Sequence, residues 1–256
     1  MRYYVTSDTH GFFSILIATL TDMGFFHDPL PHKLVICGDL FDRGPEALEM
    51  QEFIMELLKK DQVILIRGNH EDLAMNLLVN WQRGGYRQLH HYTNGTMDTV
   101  CQLVGSDDLF EGTQSIGSDF LHTPYVQDII PSMVDYFETD HYIFVHGWIP
   151  CEPVSIDSGV MHYEPMPDWR NADRSVWSKA RWINGMEAAH HGIIEKDKTI
   201  VCGHYHASFG HSRYEGKGVE FDPVDADFST YYADGIIALD ACVKYSKKLN
   251  CIIIDD

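Results

Sequence analysis

Five short apolar runs in this chain each stop at residues able to grip a cation. Tyr3-Tyr4-Val5 leads into Asp8-Thr9-His10, and Leu34 to Cys37 leads into Gly38-Asp39, then Asp42-Arg43-Gly44. Val63 to Ile66 leads into Gly68-Asn69-His70-Glu71, Tyr142 to Val145 into His146-Gly147, and Ile200 to Cys202 into Gly203-His204-Tyr205-His206. Asp8 and His10 flank Thr9, so in an extended chain both point the same way. A carboxylate oxygen and an imidazole nitrogen can then hold one cation. Asp39, with two oxygens, can bridge two. Asn69 offers a neutral amide oxygen, while its neighbour His70 points elsewhere and is free for proton transfer. Neutral imidazole is the commonest metal ligand, which makes His146 and His204 candidates. His206 repeats the spacing of Asp8 and His10 and is a further candidate ligand. An oxygen and nitrogen set without thiolate suits manganese, iron or zinc better than calcium.

These residues need elements to position them. Short β-branched runs bounded by glycine read as buried strands. In open α/β sheets, ligands collect beyond the carboxyl ends of strands. Five strands side by side would bring the Asp, His and Asn residues to one edge, with the composition of a metal-dependent hydrolytic site. Residues 1–83 read as β-α-β-α-β. Helices are expected over Ser14 to Met23, from Pro45 to Lys60, and from Glu71 to about Trp81, where early acidic residues suit the positive helix N-terminus. Residues 84–140 read as a helical insertion, with turns at Gly84-Gly85 and Asn94-Gly95 and helices at Thr96 to Val104 and Val126 to Phe137. Residues 148–175 read as a long rim loop without periodicity, and 176–192 as helical. Strand patterns return at Ile236 to Asp240 and Asn250 to Ile254. The remaining histidines, including His91 and His211, carry no such pattern and read as surface or helix residues.

The chain has 256 residues, of which 45% are hydrophobic, enough for a sizeable core. With 19 basic and 38 acidic residues the formal charge is −19, a surface that repels nucleic acid and anionic membranes. A phosphorylated substrate would need local positive charge, which metals and a few arginines could supply. No apolar run is long enough for a membrane span. The N-terminus opens on a strand pattern without a charged and apolar leader, so no secretory signal is expected. The six cysteines form no C-x-x-C pair and read as reduced core thiols of a cytoplasmic protein.

Taken in order, the motifs resemble the calcineurin-like metallophosphoesterase superfamily, and more closely its phosphoprotein phosphatase branch in bacterial and phage form. The family pattern G-D-x-H-G, G-D-x-x-D-R-G, G-N-H-E, H-G and G-H is met by Ser7 to Gly11, Gly38 to Gly44, Gly68 to Glu71, His146-Gly147 and Gly203-His204. Ser7 replaces the usual first glycine, and Trp148 stands where the family carries a second glycine after His146. The segment from Ala238-Leu239-Asp240 to Leu249 also resembles the family's closing stretch. The resemblance implies an α/β fold: a two-sheet mixed β-sandwich flanked by helices, with a dinuclear metal site at the strand C-terminal ends, in one catalytic domain over 1–256. It assigns Asp8, His10 and Asp39 to a first metal and Asp39, Asn69, His146 and His204 to a second. His70 would be the general acid, oriented by Asp42, and Arg43 would bind phosphate. A second phosphate-binding arginine is expected between His146 and His204, with Arg181 favoured over Lys179.

The expected activity is dimetal-dependent phosphoester hydrolysis through a metal-bridging hydroxide, with manganese the first expectation. A serine/threonine protein phosphatase is the leading reading. Hydrolysis of dinucleoside polyphosphates such as diadenosine tetraphosphate is the enzymatic alternative, and a metal-binding scaffold without turnover the non-enzymatic one. Partners would be a phosphorylated protein or a small phosphoester. Sparse Lys and Arg in 84–140 and 148–175 favour a phosphomonoester.

Overall fold

The structure, a computed structural model, describes residues 1–84, 88–106, 113–157, 160–222 and 224–256. It opens with β1 (Arg2–Thr6), α1 (Phe13–Asp22), β2 (His32–Cys37), α2 (Ala47–Lys59), β3 (Val63–Ile66) and α3 (Asn69–Gln82). Next come α4 (Leu89–Thr93), α5 (Thr96–Val104), α6 (Thr113–Leu121), α7 (Ile130–Ser132) and the short strand β4 (Phe137–Glu138). Then follow β5 (Tyr142–Phe144), β6 (Cys151–Asp157), β7 (Val160–Pro165), α8 (Arg174–Ala180), α9 (Gly185–His190) and β8 (Thr199–Cys202). The chain closes with α10 (Ser208–Glu215), β9 (Tyr231–Ala233), β10 (Ile236–Ala238), α11 (Val243–Ser246) and β11 (Ile252–Asp255).

Two sheets carry the fold, ordered β11-β1-β2-β3 and β4-β5-β8-β10-β9. The ligand-bearing runs are therefore not five neighbours along one edge. Three end in one sheet and two in the other, the sandwich that the family resemblance implies. Alternation along each strand explains the layering. Tyr3, Val5, Val35, Cys37, Ile66, Phe144, Val201 and Leu239 pack in the seam between the sheets. Their neighbours Tyr4, Leu34, Ile36, Val63 and Leu65 pack against helices outside the first sheet, and Ile143, Ile200, Cys202 and Ile236 outside the second. Strands buried on both faces must be apolar at every position, which is why the runs read as continuous rather than alternating.

The central strands are parallel: β1 with β2, β2 with β3, β5 with β8 and β8 with β10. Thr6 sits beside Ile36 and Cys37 beside Ile66, so the carboxyl ends finish level. Antiparallel β11, β9 and β4 flank them.

Several local expectations change. β6 and β7 pair as an antiparallel hairpin inside the stretch read as a structureless loop, because pairing the strands satisfies backbone groups that periodicity does not reveal. α2 starts at Ala47, not Pro45, because Glu46 has non-helical dihedrals, φ −123° and ψ 43°. The run read as a helix from Val126 becomes a π-helical turn over Tyr125–Ile129, then α7. Gly85 of the expected turn lies outside the described residues. Among the described residues no helix is long and apolar enough to cross a membrane.

Candidate metal centre

Each strand end delivers its polar residue two or three positions past the last paired residue. Asp8 follows β1, Asp39 follows β2, Asn69 follows β3, His146 follows β5 and His204 follows β8. The chain must reverse there, and the backbone shows the cost. Ten non-glycine residues among those described have left-handed φ, and six belong to this region: Asp8, His10, Asp39, Asp42, Arg43 and His204. Asp and His tolerate that conformation better than most residues, yet each such residue still costs on the order of 1–3 kcal/mol. Backbone bonds between loops hold them: the Asp8 amide donates to Gly38 O, the His10 amide to Asp39 O and the Gly203 amide to His146 O, at 3.1, 3.0 and 2.8 Å.

Glycines permit the close approach. A Cβ on Gly38, whose φ is +82°, would collide with the His146 ring. A Cβ on Gly203 would collide with the Asp8 carboxylate. Gly203→Ala is expected to move Asp8, lowering metal content at fixed free Mn²⁺ and the melting temperature together. Unchanged values for both would contradict this packing.

Two groups of potential ligands emerge, His10 with Asp39 and His70, and Asp39 with His146 and His204. Within each group the ligand atoms lie within 4.8 Å of one another. Asp39 belongs to both. Asn69 joins the second: its Oδ1 lies 2.8 Å from His146 Nε2 and 3.0 Å from His204 Nδ1. Asp8 is buried beside them and accepts the His204 amide at 3.0 Å.

Ring tautomers are set from behind. His10 Nδ1 donates to Phe41 O at 3.0 Å and His146 Nδ1 to Cys37 O at 2.8 Å, leaving both Nε2 lone pairs aimed inward. Burial holds His10 and His146 below the ordinary imidazole range and lowers His204 to about 3, so these rings stay neutral. Burial alone would raise Asp39, but the neighbouring His70, whose backbone amide donates to Asp39 Oδ1 at 3.0 Å, favours the ionised carboxylate, and the Asp39 pKa is lowered. His146 Nε2, His204 Nδ1, Asn69 Oδ1 and Asp39 Oδ1 thus converge with lone pairs facing one another. Acceptors meet favourably in this way only around a cation, so the residues fit divalent metal.

His70 differs from the other rings. Burial would lower its pKa, but Asp39 and Asp42 outweigh burial and raise it. Its Nδ1 donates to Asp42 Oδ2 at 2.7 Å. Arg43 donates to His10 Nε2 at 2.8 Å and to His70 Nε2 at 3.1 Å, which puts its guanidinium over the first group.

Two expected residues are placed otherwise. Arg181 is buried and turned away: its guanidinium pairs with Asp72 and Asp135 and donates to Arg67 O, so it ties the end of α8 to α3 and to the segment before β4 rather than facing the cavity. His206 lines the cavity but belongs to neither group, and its Nε2 meets Glu220 at 3.1 Å. Of the histidines read as surface or helix residues, His91 and His211 are buried.

Sequence reasoning passed over other residues of the site. Glu71, wholly buried, accepts amides from Gly68, Asp39 and Leu40 at 2.7, 3.2 and 3.0 Å, fastening the β2 and β3 ends together. Burial, with Asp39 nearby, pushes its carboxyl up to about 7. Asp240 lies two residues past β10, the same offset as Asp8, Asp39, His146 and His204. It lines the same cavity and burial lifts its carboxyl to about 7. The apolar run Ile236 to Leu239 ending in aspartate was the available signal.

The cavity holds about 560 Å³ and is lined by His10, Arg43, His204 and Asp240 at its base. Trp182, Phe221, Tyr245 and Lys244 stand on its wall, and the three aromatic rings are 52%, 68% and 65% exposed.

A two-sheet sandwich whose strand ends carry paired His/Asp ligand groups is the architecture of a metallophosphoesterase. The calcineurin-like phosphoesterase family profile matches residues 1–238, and the chain belongs to that family. The chain is 40% identical over 79 residues to serine/threonine-protein phosphatase 1 of Salmonella typhimurium, covering 31% of this chain and 34% of that one. It is 26% identical over 221 residues to serine/threonine-protein phosphatase 2 of the same organism, covering 84% and 86%. It is 30% identical over 113 residues to the asymmetrical bis(5'-nucleosyl)-tetraphosphatase PrpE of Bacillus velezensis, covering 42% and 44%. The chain thus spans less than half of the first and last of these relatives and most of the second.

Proposed function

We propose that the protein is a dimetal-dependent phosphoester hydrolase acting on phosphoserine or phosphothreonine in proteins. The observation that carries this reading is the His70–Asp42 pair and Arg43 set against two ligand groups that share Asp39. Asp8, His10 and Asp39 would hold one cation, and Asp39, Asn69, His146 and His204 the other. Divalent cations bound there supply Lewis acidity toward phosphoryl oxygens and an acidified water, with manganese the first choice and iron or zinc alternatives.

The chain's own residues supply the rest. Arg43 transfers its donors from the two imidazoles to the phosphoryl oxygens as substrate enters. Its charge then offsets what develops there during displacement. His70 Nε2, freed from the guanidinium, holds a proton and gives it to the departing oxygen. Asp42 fixes the ring through Nδ1 and favours the protonated form. A scaffold that only binds metal needs neither Asp42 nor Arg43, so their arrangement favours turnover. The relative aligned over most of its length, named a serine/threonine phosphatase, supports the protein substrate. A reducing compartment such as the cytoplasm suits a chain in which no disulfide joins the cysteines.

Diadenosine tetraphosphate is the second reading, favoured by the three exposed aromatic rings on the cavity wall, which could stack bases. A phosphoserine peptide and diadenosine tetraphosphate, each assayed with Mn²⁺ and after chelation, separate the two. Metal-dependent turnover of the peptide, with little of the dinucleotide, is the expected result. The reverse preference moves the assignment to the nucleotide, and two bound metals with no hydrolysis of any phosphoester would revive the scaffold.

A further inference from the structure

The acid–base pair is held from outside the sheets, by the segment between β3 and β5. α5 starts at Thr96, directly after Gly95, whose φ of +86° lets it lie against the Arg43 backbone. Thr96, Thr99 and Gln102 recur every three residues and share one side of the helix. All three grip the stretch from Asp42 to Ala47. Thr96 Oγ1 donates to Asp42 Oδ2 at 2.8 Å, and the Asp42 amide donates to Thr99 Oγ1 at 3.0 Å. Gln102 Nε2 donates to Gly44 O at 3.0 Å, and Gln102 Oε1 accepts the Ala47 amide at 2.8 Å. Thr96 and Thr99 are buried, so neither exchanges its partner for water.

One contact reaches the chemistry. Asp42 Oδ2 receives both the Thr96 hydroxyl and His70 Nδ1. The carboxylate can rotate about its Cβ–Cγ bond. A second donor on the same oxygen, anchored to a helix, fixes the plane in which that oxygen meets the imidazole.

We propose that Thr96 is a positioning residue for phosphoryl transfer: through Asp42 it aims the His70 ring at the leaving oxygen. This rests on the reading of His70 as proton donor. Outer partners of this kind are worth about 10–100-fold when removed. A wandering proton donor penalises poor leaving groups and spares good ones, whereas a structural defect penalises both alike.

The test compares a phosphoserine peptide with p-nitrophenyl phosphate in the Mn²⁺-loaded full-length protein. For Thr96→Val, kcat on the peptide is expected to fall roughly 10–100-fold at unchanged KM. On p-nitrophenyl phosphate kcat should hold, as should metal content and melting temperature. Thr96→Ser restores the hydroxyl and should restore the peptide rate. Thr96→Ala, smaller than the native residue, replaces the valine variant if that packs poorly. An equal loss on both substrates, no loss on either, or a serine variant as slow as the valine one overturns the proposal. If His70→Asn itself shows no dependence on the leaving group, the proton-donor reading fails and takes this one with it. If His70→Asn shows that dependence and Thr96→Val does not, only the role of Thr96 is lost.

Discussion

Asp39→Asn is expected to abolish turnover and empty both ligand groups together. Asp39 is the one residue common to the two, it is buried, and its pKa is lowered, so it meets the cations as a carboxylate. The amide keeps the volume but removes the charge that makes two neighbouring cations tolerable. Loss of several kcal/mol of charge stabilisation corresponds to at least roughly 10³-fold in rate. Metal analysis should show both sites depleted in parallel across a Mn²⁺ titration, with the fold intact by circular dichroism. A variant that keeps two metals and full activity would sink the dinuclear reading. A variant that loses one metal and keeps the other would show the two groups to be independent.

His70→Asn should behave in the opposite way, keeping metal and losing rate. General acid catalysis contributes typically 10²–10⁴-fold, and the loss should shrink as the leaving group improves. The geometry also offers a rival role, because His70 Nε2 lies 3.7 Å from Asp39 Oδ2, much as His10 Nε2 does at 3.9 Å. Depleted metal in His70→Asn would make it a ligand instead of an acid. The pH profile gives a second check. Asp39 and Asp42 raise the His70 pKa, so an acid-requiring rate falls only as pH climbs through a value above the ordinary imidazole one. Asp42→Asn removes part of that support. Its alkaline limb should shift to lower pH, and a limb that stays in place would detach Asp42 from the proton.

Much of this centre was legible in the chain because buried parallel strands leave a plain mark. Apolar runs that end in Asp, Asn or His name both the strand and the residue that the fold presents beyond it. Asp8, Asp39, Asn69, His146 and His204 could be read that way, and the same rule applied to Ile236 to Leu239 would have added Asp240. Glycine beside them marked tight turns, and Gly38 and Gly203 prove to be where a Cβ would strike His146 and Asp8. Rim positions carried no such mark. Arg181 was favoured on the family resemblance and His206 on spacing, yet ion pairs with Asp72, Asp135 and Glu220 decide where they point. Those acids lie 109 and 46 residues from Arg181 and 14 from His206, and no local pattern records them.

The order of apolar runs and the residue type at each run's end were thus set by the sequence alone, because strand burial and ligand chemistry are local requirements. Only the tertiary structure decided which of these runs join which of the two sheets. It alone decided that Thr96, Thr99 and Gln102, outside every motif, brace the Asp42 loop, and that the His70 pKa is raised while those of three nearby histidines are lowered. Each of these outcomes is a balance of burial against neighbouring charge and hydrogen bonds. That balance exists only once distant segments share a few ångströms of low-dielectric interior.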